Sequence, residues 1–304
     1  MNTCRWRECA LLALISVLVL SASCVLTHHA RLVGPFTALP PGSLPPQPGL
    51  FLWLEGNAPG GGSLLVTGLH TTGVTSWSDV RGGAGIVRFS LEGVRVTVPV
   101  TTPAGVSFSA FALHCGDPGD PAVRCSYASP VAPGALDGTP YTVLAVVRRQ
   151  SSRGDNYFLM TEGHGCNPAF GGTGCDSDSV LHLGWSGDDT LRLGQYDHDV
   201  VLAPVPTFST PAPLSLIFAS SGPSGKQVGL LERGTNSLQV VSEVLLLANS
   251  GRIFVGGTPF GQGMAVADWH FVGDILALLV YTRELSLLEV QQATGYLRNR
   301  FGPA

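Results

Sequence analysis

Apolar and polar positions alternate in short segments along most of this chain, and glycine, proline, asparagine or aspartate separates nearly all of the segments. A period of two is typical of half-buried strands, and turn residues between strands favour antiparallel connections. About fifteen strands of this kind predict two antiparallel sheets packed face to face. The pattern places them at positions 50–54, 64–66, 75–77, 86–90, 94–98, 106–113, 122–127, 141–149, 156–161, 180–185, 190–195, 200–202, 214–220, 227–232, 238–246 and 252–255.

Positions 271–302 follow a different pattern. An apolar run at 275–281 predicts one more buried strand, and a short polar turn follows it. Ser286 and Glu289 have the spacing of a capping box, in which each side chain accepts a backbone hydrogen bond from the other residue. Gly302 is a suitable helix terminator. Between them apolar residues recur at helical spacing, which predicts one C-terminal helix: Val290, Ala293, Leu297 and Phe301.

The composition supports one large β-domain. Charged residues make up only 12% of the chain, whereas 39 glycines and 22 prolines supply many turns. An apolar content of 44% is enough for a folded core. The net charge is −4, and the sequence contains no basic run, so we expect no binding to nucleic acid and no electrostatic attraction to anionic lipid.

The first 24 residues have the organisation of an export signal. Arg5 and Arg7 precede an uncharged apolar run at 10–20, and small residues lead to Cys24. The sequence Ser-Ala-Ser-Cys resembles a lipobox, which predicts lipidation at Cys24; a cleaved signal and an uncleaved anchor are the alternatives. Residues 25–49 form a proline-rich linker, and residues 50–304 form the domain. We therefore expect an exported protein of the cell envelope or extracellular space, in contact with the membrane only through this segment.

Four of the seven cysteines lie outside the signal region: Cys115, Cys125, Cys166 and Cys175. An even number in an exported domain predicts disulfides, and four cysteines allow three pairings. We favour the local pairs Cys115–Cys125 and Cys166–Cys175, because each closes a loop with little apolar material to order it.

Four blocks of the sequence resemble the concanavalin A-like lectin/glucanase superfamily, in the laminin-G-like form of exported bacterial proteins. They begin at Leu50 (LFLWLEG), at Val74 (VTSWSD), at Tyr141 (YTVLAVV) and at Phe271, the last block containing the predicted helix. This resemblance implies a jelly-roll sandwich with the C-terminal helix against one side. It also places Trp53 and Trp77 at structural core positions.

The sequence departs from the glucanase branch of that superfamily at the catalytic strand. Glucanases carry Glu-x-Asp-x-(x)-Glu, which places carboxylates on one face of a sheet. The nearest match in this chain is Asp197-His198-Asp199, which lacks the third carboxylate. We therefore predict no catalytic residues.

The resemblance also implies a Ca²⁺ site, since related domains often hold this ion at a sheet rim. Asp176 and Asp178, beside Cys175, are the best candidates, because a disulfide would preorganise their loop. We favour the interpretation that aspartates in glycine-rich turns hydrogen-bond only their own backbone, and Asp176 and Asp178 apply if a site exists. A zinc site using His164 with Cys166 and Cys175 is a further alternative, although paired cysteines fit an oxidising compartment better.

Aromatic side chains at strand ends could stack on sugar rings. Trp185 precedes the turn at 186–189 and is the candidate for an exposed platform, and Tyr196 is a similar candidate. The combined hypothesis is a non-catalytic cell-envelope binding module for a glycan or an extracellular protein. The alternatives are a glycan hydrolase or lyase with a non-standard site, and a purely structural envelope domain.

Overall fold

A computed structural model describes most of the predicted domain. The described residues all belong to the unit formed by positions 37–304, and they are 44–56, 64–66, 73–82, 85–88, 93–102, 104–116, 125–129, 136–151, 156–163, 180–187, 189–195, 198–202, 213–231, 236–241, 246–247, 250–257 and 271–302.

Strands and one helix make up the regular structure of this part of the chain. They are β1 (Leu50–Glu55), β2 (Leu64–Val66), β3 (Gly73–Trp77), β4 (Ile86–Arg88), β5 (Gly93–Thr101), β6 (Ser107–Cys115), β7 (Tyr127–Ala128), β8 (Tyr141–Arg149), β9 (Asn156–Gly163), β10 (Leu181–Trp185), β11 (Leu191–Gln195), β12 (Val200–Leu202), β13 (Ser215–Gly222), β14 (Gly225–Leu231), β15 (Asn236–Val241), β16 (Ser250–Val255), β17 (Gly273–Tyr281) and α1 (Leu287–Phe301).

Strand pairing organises these elements into two sheets. The first sheet runs β5-β6-β17-β8-β13-β14-β15. β1 pairs with the same side of β17 as β6 does, but β6 pairs with the beginning of β17 and β1 with its end. The second runs β2-β3-β4-β7-β16-β9-β10-β11-β12. A short pairing of β3 with β5 connects them. Every strand pair is antiparallel, which confirms the predicted two-sheet jelly-roll sandwich with one C-terminal helix.

The main core lies between the two sheets. Alternate residues of β8 point into it, as expected for a period of two: Val143, Ala145 and Val147. The facing side chains of the second sheet include Leu181, Leu183, Trp185, Leu191 and Leu193. Leu144 and Val146, on the other face of β8, are buried as well, because α1 packs on the outer face of the first sheet against β8 and β13. This double coverage explains why β8 has a continuous apolar sequence.

The ends of α1 follow the sequence prediction. The Ser286 hydroxyl accepts from the Glu289 backbone N–H, and the Glu289 carboxylate accepts from the Ser286 N–H, so the capping box is complete. Gly302 ends the helix at φ 56°, and its N–H donates to the Arg298 carbonyl. Side chains on one face of the helix are buried against the sheet, among them Val290, Ala293, Leu297 and Phe301.

Several strand bounds differ from the sequence prediction. β5 extends to Thr101, because the β5–β6 hairpin stays in register from the Val94–His114 pair to the Thr101–Ser107 pair. β15 is described from Asn236 to Val241, and positions 242–245 of the predicted strand lie outside the described residues. The predicted strand at 122–127 appears only as β7, and positions 122–124 lie outside the described residues.

Residues 44–49, the end of the predicted linker, contact the domain. The Gln292 side chain of α1 donates to the Leu44 carbonyl, and Arg283 donates to the Pro48 carbonyl. Pro45 and Pro46 are buried. In the part of the chain that the structure describes, no helix is long and apolar enough to cross a bilayer.

Candidate functional site

Three adjacent strands of the first sheet bring charged and polar side chains together around Asp274. Asp274 is the second residue of β17, and its Cα partners are His114 on β6 and Arg148 on β8. Directly opposite residues of antiparallel strands project to the same face. With Gln150, which follows β8, these residues form what we call the Asp274 cluster.

Hydrogen bonds saturate the Asp274 carboxylate. His114 Nδ1 lies 2.7 Å from one oxygen, Arg148 Nε lies 2.6 Å from the other, and Gln150 Nε2 donates to that second oxygen at 2.7 Å. An ionised carboxylate only accepts hydrogen bonds, so the His114 Nδ1 must carry a proton. The Nε2 atom of His114 is then the basic nitrogen of the ring.

Exposure differs sharply within the Asp274 cluster. The Asp274 side chain is fully buried, whereas the His114 and Arg148 side chains are each 20% exposed. A buried carboxylate that fixes the tautomer and orientation of a partly exposed imidazole is the arrangement of a general base with its orienting group. The same bonds also tie β6, β17 and β8 together, so the cluster has a structural role in any case.

A second group of ionisable side chains, the Asp199 cluster, lies on the second sheet. Asp199 accepts from Arg192 Nη1 at 2.9 Å and from the Gln195 backbone N–H at 3.2 Å. His182 Nε2 is 3.8 Å from Asp199, which is beyond hydrogen-bond distance.

His182 is enclosed within that cluster. Its ring packs against Tyr157 at a centroid distance of 4.7 Å, and Gly194 faces it so closely that a Cβ there would lie 1.7 Å from Nε2. Burial lowers the pKa of His182 to about 4, although the nearby Asp199 charge opposes this shift. The imidazole is therefore neutral at pH 7, but with only 5% of the residue exposed it has little access to a solvent-borne substrate.

A third group, which we call the Arg149 cluster, consists of Arg149, Trp185 and Asp189. The Arg149 guanidinium lies over the Trp185 ring at 5.5 Å and forms an ion pair with Asp189 at 2.6 Å. Burial lowers the pKa of Arg149 below its ordinary value, and Asp189 acts in the opposite direction.

The structure places the predicted site residues differently. Trp185 is completely buried, so the prediction of an exposed stacking platform is wrong. The residue alternates with Leu183 and Leu181 along β10, and all three point into the core between the sheets. Tyr196, the calcium candidates Asp176 and Asp178, the proposed lipidation site Cys24, and the pair Cys166 and Cys175 lie outside the described residues.

Cys115 and Cys125 form the predicted local disulfide. Both residues are completely buried. Trp77 lies in the core between the sheets, as expected, and the buried Trp53 lies on the opposite face of β1. Within the described ranges, no group of three histidine, cysteine, aspartate or glutamate side chains could hold a metal ion.

The Asp274 cluster was not predicted from the sequence, although a signal was present. Asp274 is the second residue of an otherwise apolar strand, and Arg148 is the second-to-last residue of another. Charged residues in central strands are rarely buried without partners, so each of them indicated a partner on a neighbouring strand. The partners could not be assigned, because 126 residues separate Arg148 from Asp274.

No family model matches this sequence, and no curated protein matches it. Solved structures of similar fold do exist. A Trypanosoma rangeli sialidase is 15% identical with a TM-score of 0.48, and the match covers 94% of this chain and 40% of that chain. A mutant GH54 α-L-arabinofuranosidase is 10% identical with a TM-score of 0.50, over 76% of this chain and 52% of that chain. The chain thus spans about half or less of the length of these proteins.

The likeness to the arabinofuranosidase, at 10% identity, concerns the fold alone and agrees with a β-sandwich. It nevertheless corrects the main functional hypothesis. The similar arabinofuranosidase is a glycosidase by name, which favours the alternative over the prediction of a non-catalytic binding module, and that prediction is not retained. The alternative, a glycan hydrolase, takes its place as a proposal.

Proposed function

We propose that this chain hydrolyses glycosidic bonds and that His114 is the general base. The observation that carries this proposal is the contact of His114 Nδ1 with Asp274 at 2.7 Å, in which the carboxylate is fully buried and the imidazole is partly exposed. The fold shared with a GH54 α-L-arabinofuranosidase supports a glycan as the substrate. Membership of the concanavalin A-like superfamily, based on the four sequence blocks, is part of the same proposal.

The chemistry follows from the orientation of the imidazole. Nε2 of His114 takes a proton from a water molecule whose oxygen attacks the anomeric carbon. The bond from that carbon to the leaving oxygen breaks, the leaving oxygen takes a proton from solvent, and the imidazolium returns its proton to solvent. Asp274 stabilises the imidazolium, and the partly exposed Arg148 can hold an oxygen of the substrate.

Asp274 is unsuited to act as a nucleophile. Retaining glycosidases use two carboxyl groups about 5–5.5 Å apart, one of which forms a covalent intermediate. Both oxygens of Asp274 already accept hydrogen bonds, and the side chain is fully buried. We therefore expect a single displacement by water, with inversion at the anomeric carbon.

The test is an activity assay on 4-nitrophenyl α-L-arabinofuranoside, the compound soaked into the similar arabinofuranosidase, and on a panel of polysaccharides, with release of nitrophenol or new reducing ends as the measurement. His114→Gln is expected to lower kcat by about a hundredfold to ten-thousandfold. Asp274→Asn is expected to lower kcat with little change in KM, because it disturbs the tautomer of a positioned base.

Arg192→Gln is the control, since Arg192 lies in the separate Asp199 cluster and we expect it to leave kcat unchanged. Circular dichroism would verify that each variant is folded. The proposal fails if no substrate in the panel is cleaved, or if His114→Gln retains the full rate. Appearance of an unsaturated uronate product would instead identify a lyase.

We also propose that the chain is exported. The buried disulfide Cys115–Cys125 supports this, because such bonds persist in oxidising compartments. Fractionation of cells and the mass of the mature N-terminus would test it. A Cys24→Ala variant that keeps the same membrane attachment would rule out lipidation at that residue.

Calcium binding at Asp176 and Asp178 is a separate proposal that rests on the sequence alone. Calorimetric titration with Ca²⁺ is expected to show binding that Asp176→Asn with Asp178→Asn removes. Equal heats from both proteins would exclude this site.

A further inference from the structure

Arg149 is an unusual residue in the interior of this sandwich. It ends β8 on the face that carries Val143, Ala145 and Val147, so its side chain points between the two sheets. Only 1% of the side chain is exposed. A buried cation is costly unless hydrogen bonds and an opposite charge compensate it.

The compensation available to Arg149 is incomplete. Among the described residues, none of the three guanidinium nitrogens donates a well-directed hydrogen bond, although Nη1 lies 2.6 Å from an Asp189 oxygen. The buried Trp185 Nε1 likewise has no acceptor in the described part of the chain. Apart from the contact of Nη1 with Asp189, the donors of Arg149 and Trp185 thus lie without the acceptors that burial normally requires.

Asp189 reaches this cation from the surface. It lies in the turn between β10 and β11, and its side chain is 43% exposed, whereas that of Arg149 is 1% exposed. The carboxylate therefore extends from a solvent-facing position to a buried partner.

We propose that Arg149 and Trp185 form a binding site for the carboxylate of an acidic ligand, and that Asp189 occupies this site when the ligand is absent. A planar guanidinium matches a planar carboxylate through two parallel hydrogen bonds. The contact with Asp189 shows that a carboxylate reaches the position. The indole N–H of Trp185 supplies a further donor that Asp189 leaves unused.

This inference is independent of the proposed hydrolase activity. Arg149 and Arg148 are neighbours in β8, but their side chains project to opposite faces of the first sheet. The carboxylate site lies between the sheets, whereas the Asp274 cluster lies on the outer face. An acidic sugar is a class of ligand that could bind at the carboxylate site and, as part of a glycan, also be a substrate at the Asp274 cluster.

The experiment compares D-glucuronate with D-glucose, which differ by a carboxylate in place of a hydroxymethyl group, in calorimetric titrations of the full chain. Asp189→Asn removes the internal competitor and keeps the size of the side chain. If Asp189 occupies the site about nine-tenths of the time, this variant binds glucuronate about tenfold more tightly than the wild type. D-glucose is expected to show no such gain.

Trp185→Phe in the Asp189→Asn background is expected to reverse part of the gain, because it keeps an aromatic ring under the guanidinium and removes the N–H donor. The inference is overturned if Asp189→Asn binds glucuronate no better than the wild type, or if it binds glucose equally well. His114→Gln, the test of the hydrolase, is expected to bind glucuronate like the wild type. The two proposals are tested with different variants and different measurements, so the failure of one can be distinguished from the failure of the other.

Discussion

The hydroxyl of Tyr296 on α1 donates a hydrogen bond to the carboxylate of Glu55 on β1, 241 residues earlier in the chain. Glu55 is fully buried, and it also accepts from Trp53 Nε1 at 3.0 Å and from Arg300 Nε. Burial and the adjacent carboxylate raise the pKa of Tyr296, so its hydroxyl remains a donor. This carboxylate therefore links the helix to β1, in addition to the apolar packing of the helix on the sheet.

Tyr296→Phe is expected to reduce the free energy of unfolding by about 1.5–3 kcal/mol, the usual value of a hydrogen bond to a charged group. Tyr281→Phe is the matched control. The Tyr281 hydroxyl is buried and has no hydrogen-bond partner among the described residues, so its removal is expected to change stability by less than about 0.5 kcal/mol. Urea denaturation of both variants measures the difference, and equal losses would contradict this role of Glu55.

Two glycines with nearly the same backbone conformation allow a second comparison. Gly302 has φ 56° and Gly138 has φ 57°. A Cβ at position 302 would lie 1.9 Å from the Thr101 carbonyl oxygen, whereas one at position 138 would meet nothing within 4 Å. Gly138→Ala is expected to cost about 1–2 kcal/mol from backbone strain alone.

Gly302→Ala carries the same strain and an added steric clash, so its cost is expected to be larger by about 1–3 kcal/mol. Thermal denaturation of the two variants gives the difference directly. If both lose the same stability, the close approach of Gly302 to Thr101 is unimportant.

Protonation of His182 predicts a pH dependence of stability. Its pKa is lowered to about 4 in the folded state, mainly by burial, from an ordinary value of 6.5. The unfolded chain therefore binds more protons than the folded chain between these two values, so stability falls as the pH decreases from about 6.5 to 4. The loss from this group approaches about 3 kcal/mol.

Urea midpoints measured at several pH values would show this slope. In His182→Asn the contribution of the imidazole is absent, and the variant is expected to lose less stability over the same pH range. Parallel pH profiles of the variant and the wild type would contradict the assignment.

The fourth prediction concerns the stability that the Cys115–Cys125 disulfide contributes. Cys115 and Cys125 are 10 residues apart, and a cross-link that closes a loop of this size contributes roughly 2–3 kcal/mol through the unfolded chain. Replacement of both cysteines by serine or alanine is expected to lower stability by about this amount. Because both cysteines are completely buried, reductant should leave the bond intact in the folded protein and break it in urea. Thiol titration with and without urea measures this.

Local features of the fold were predictable from the sequence. The helix bounds follow from Ser286, Glu289 and Gly302, because capping uses neighbours within one turn. β8 was recognisable as a central strand from its unbroken apolar run, since both of its faces are covered. The Cys115–Cys125 bond was also predictable, because a short loop limits the choice of partner.

Features that depend on strand register were not predictable. The burial of Trp185 is an exception, because Trp185 shares the two-residue spacing of Leu181 and Leu183 along β10, and this spacing indicates the core-facing side. The Asp274 cluster depends on three strands that are distant in sequence and meet in one register. Its residues were visible as charged positions, but their contacts could not be derived from a single sequence.

The position of β17 has a consequence for how this domain is made. Gly273–Tyr281 pairs with β8 on one side and with β6 and β1 on the other. The central strand of the first sheet is therefore absent until this segment has left the ribosome. The earlier strands cannot close the sandwich by themselves during synthesis. We expect the nascent polypeptide to remain open until that point, a state that threading through a translocation pore requires.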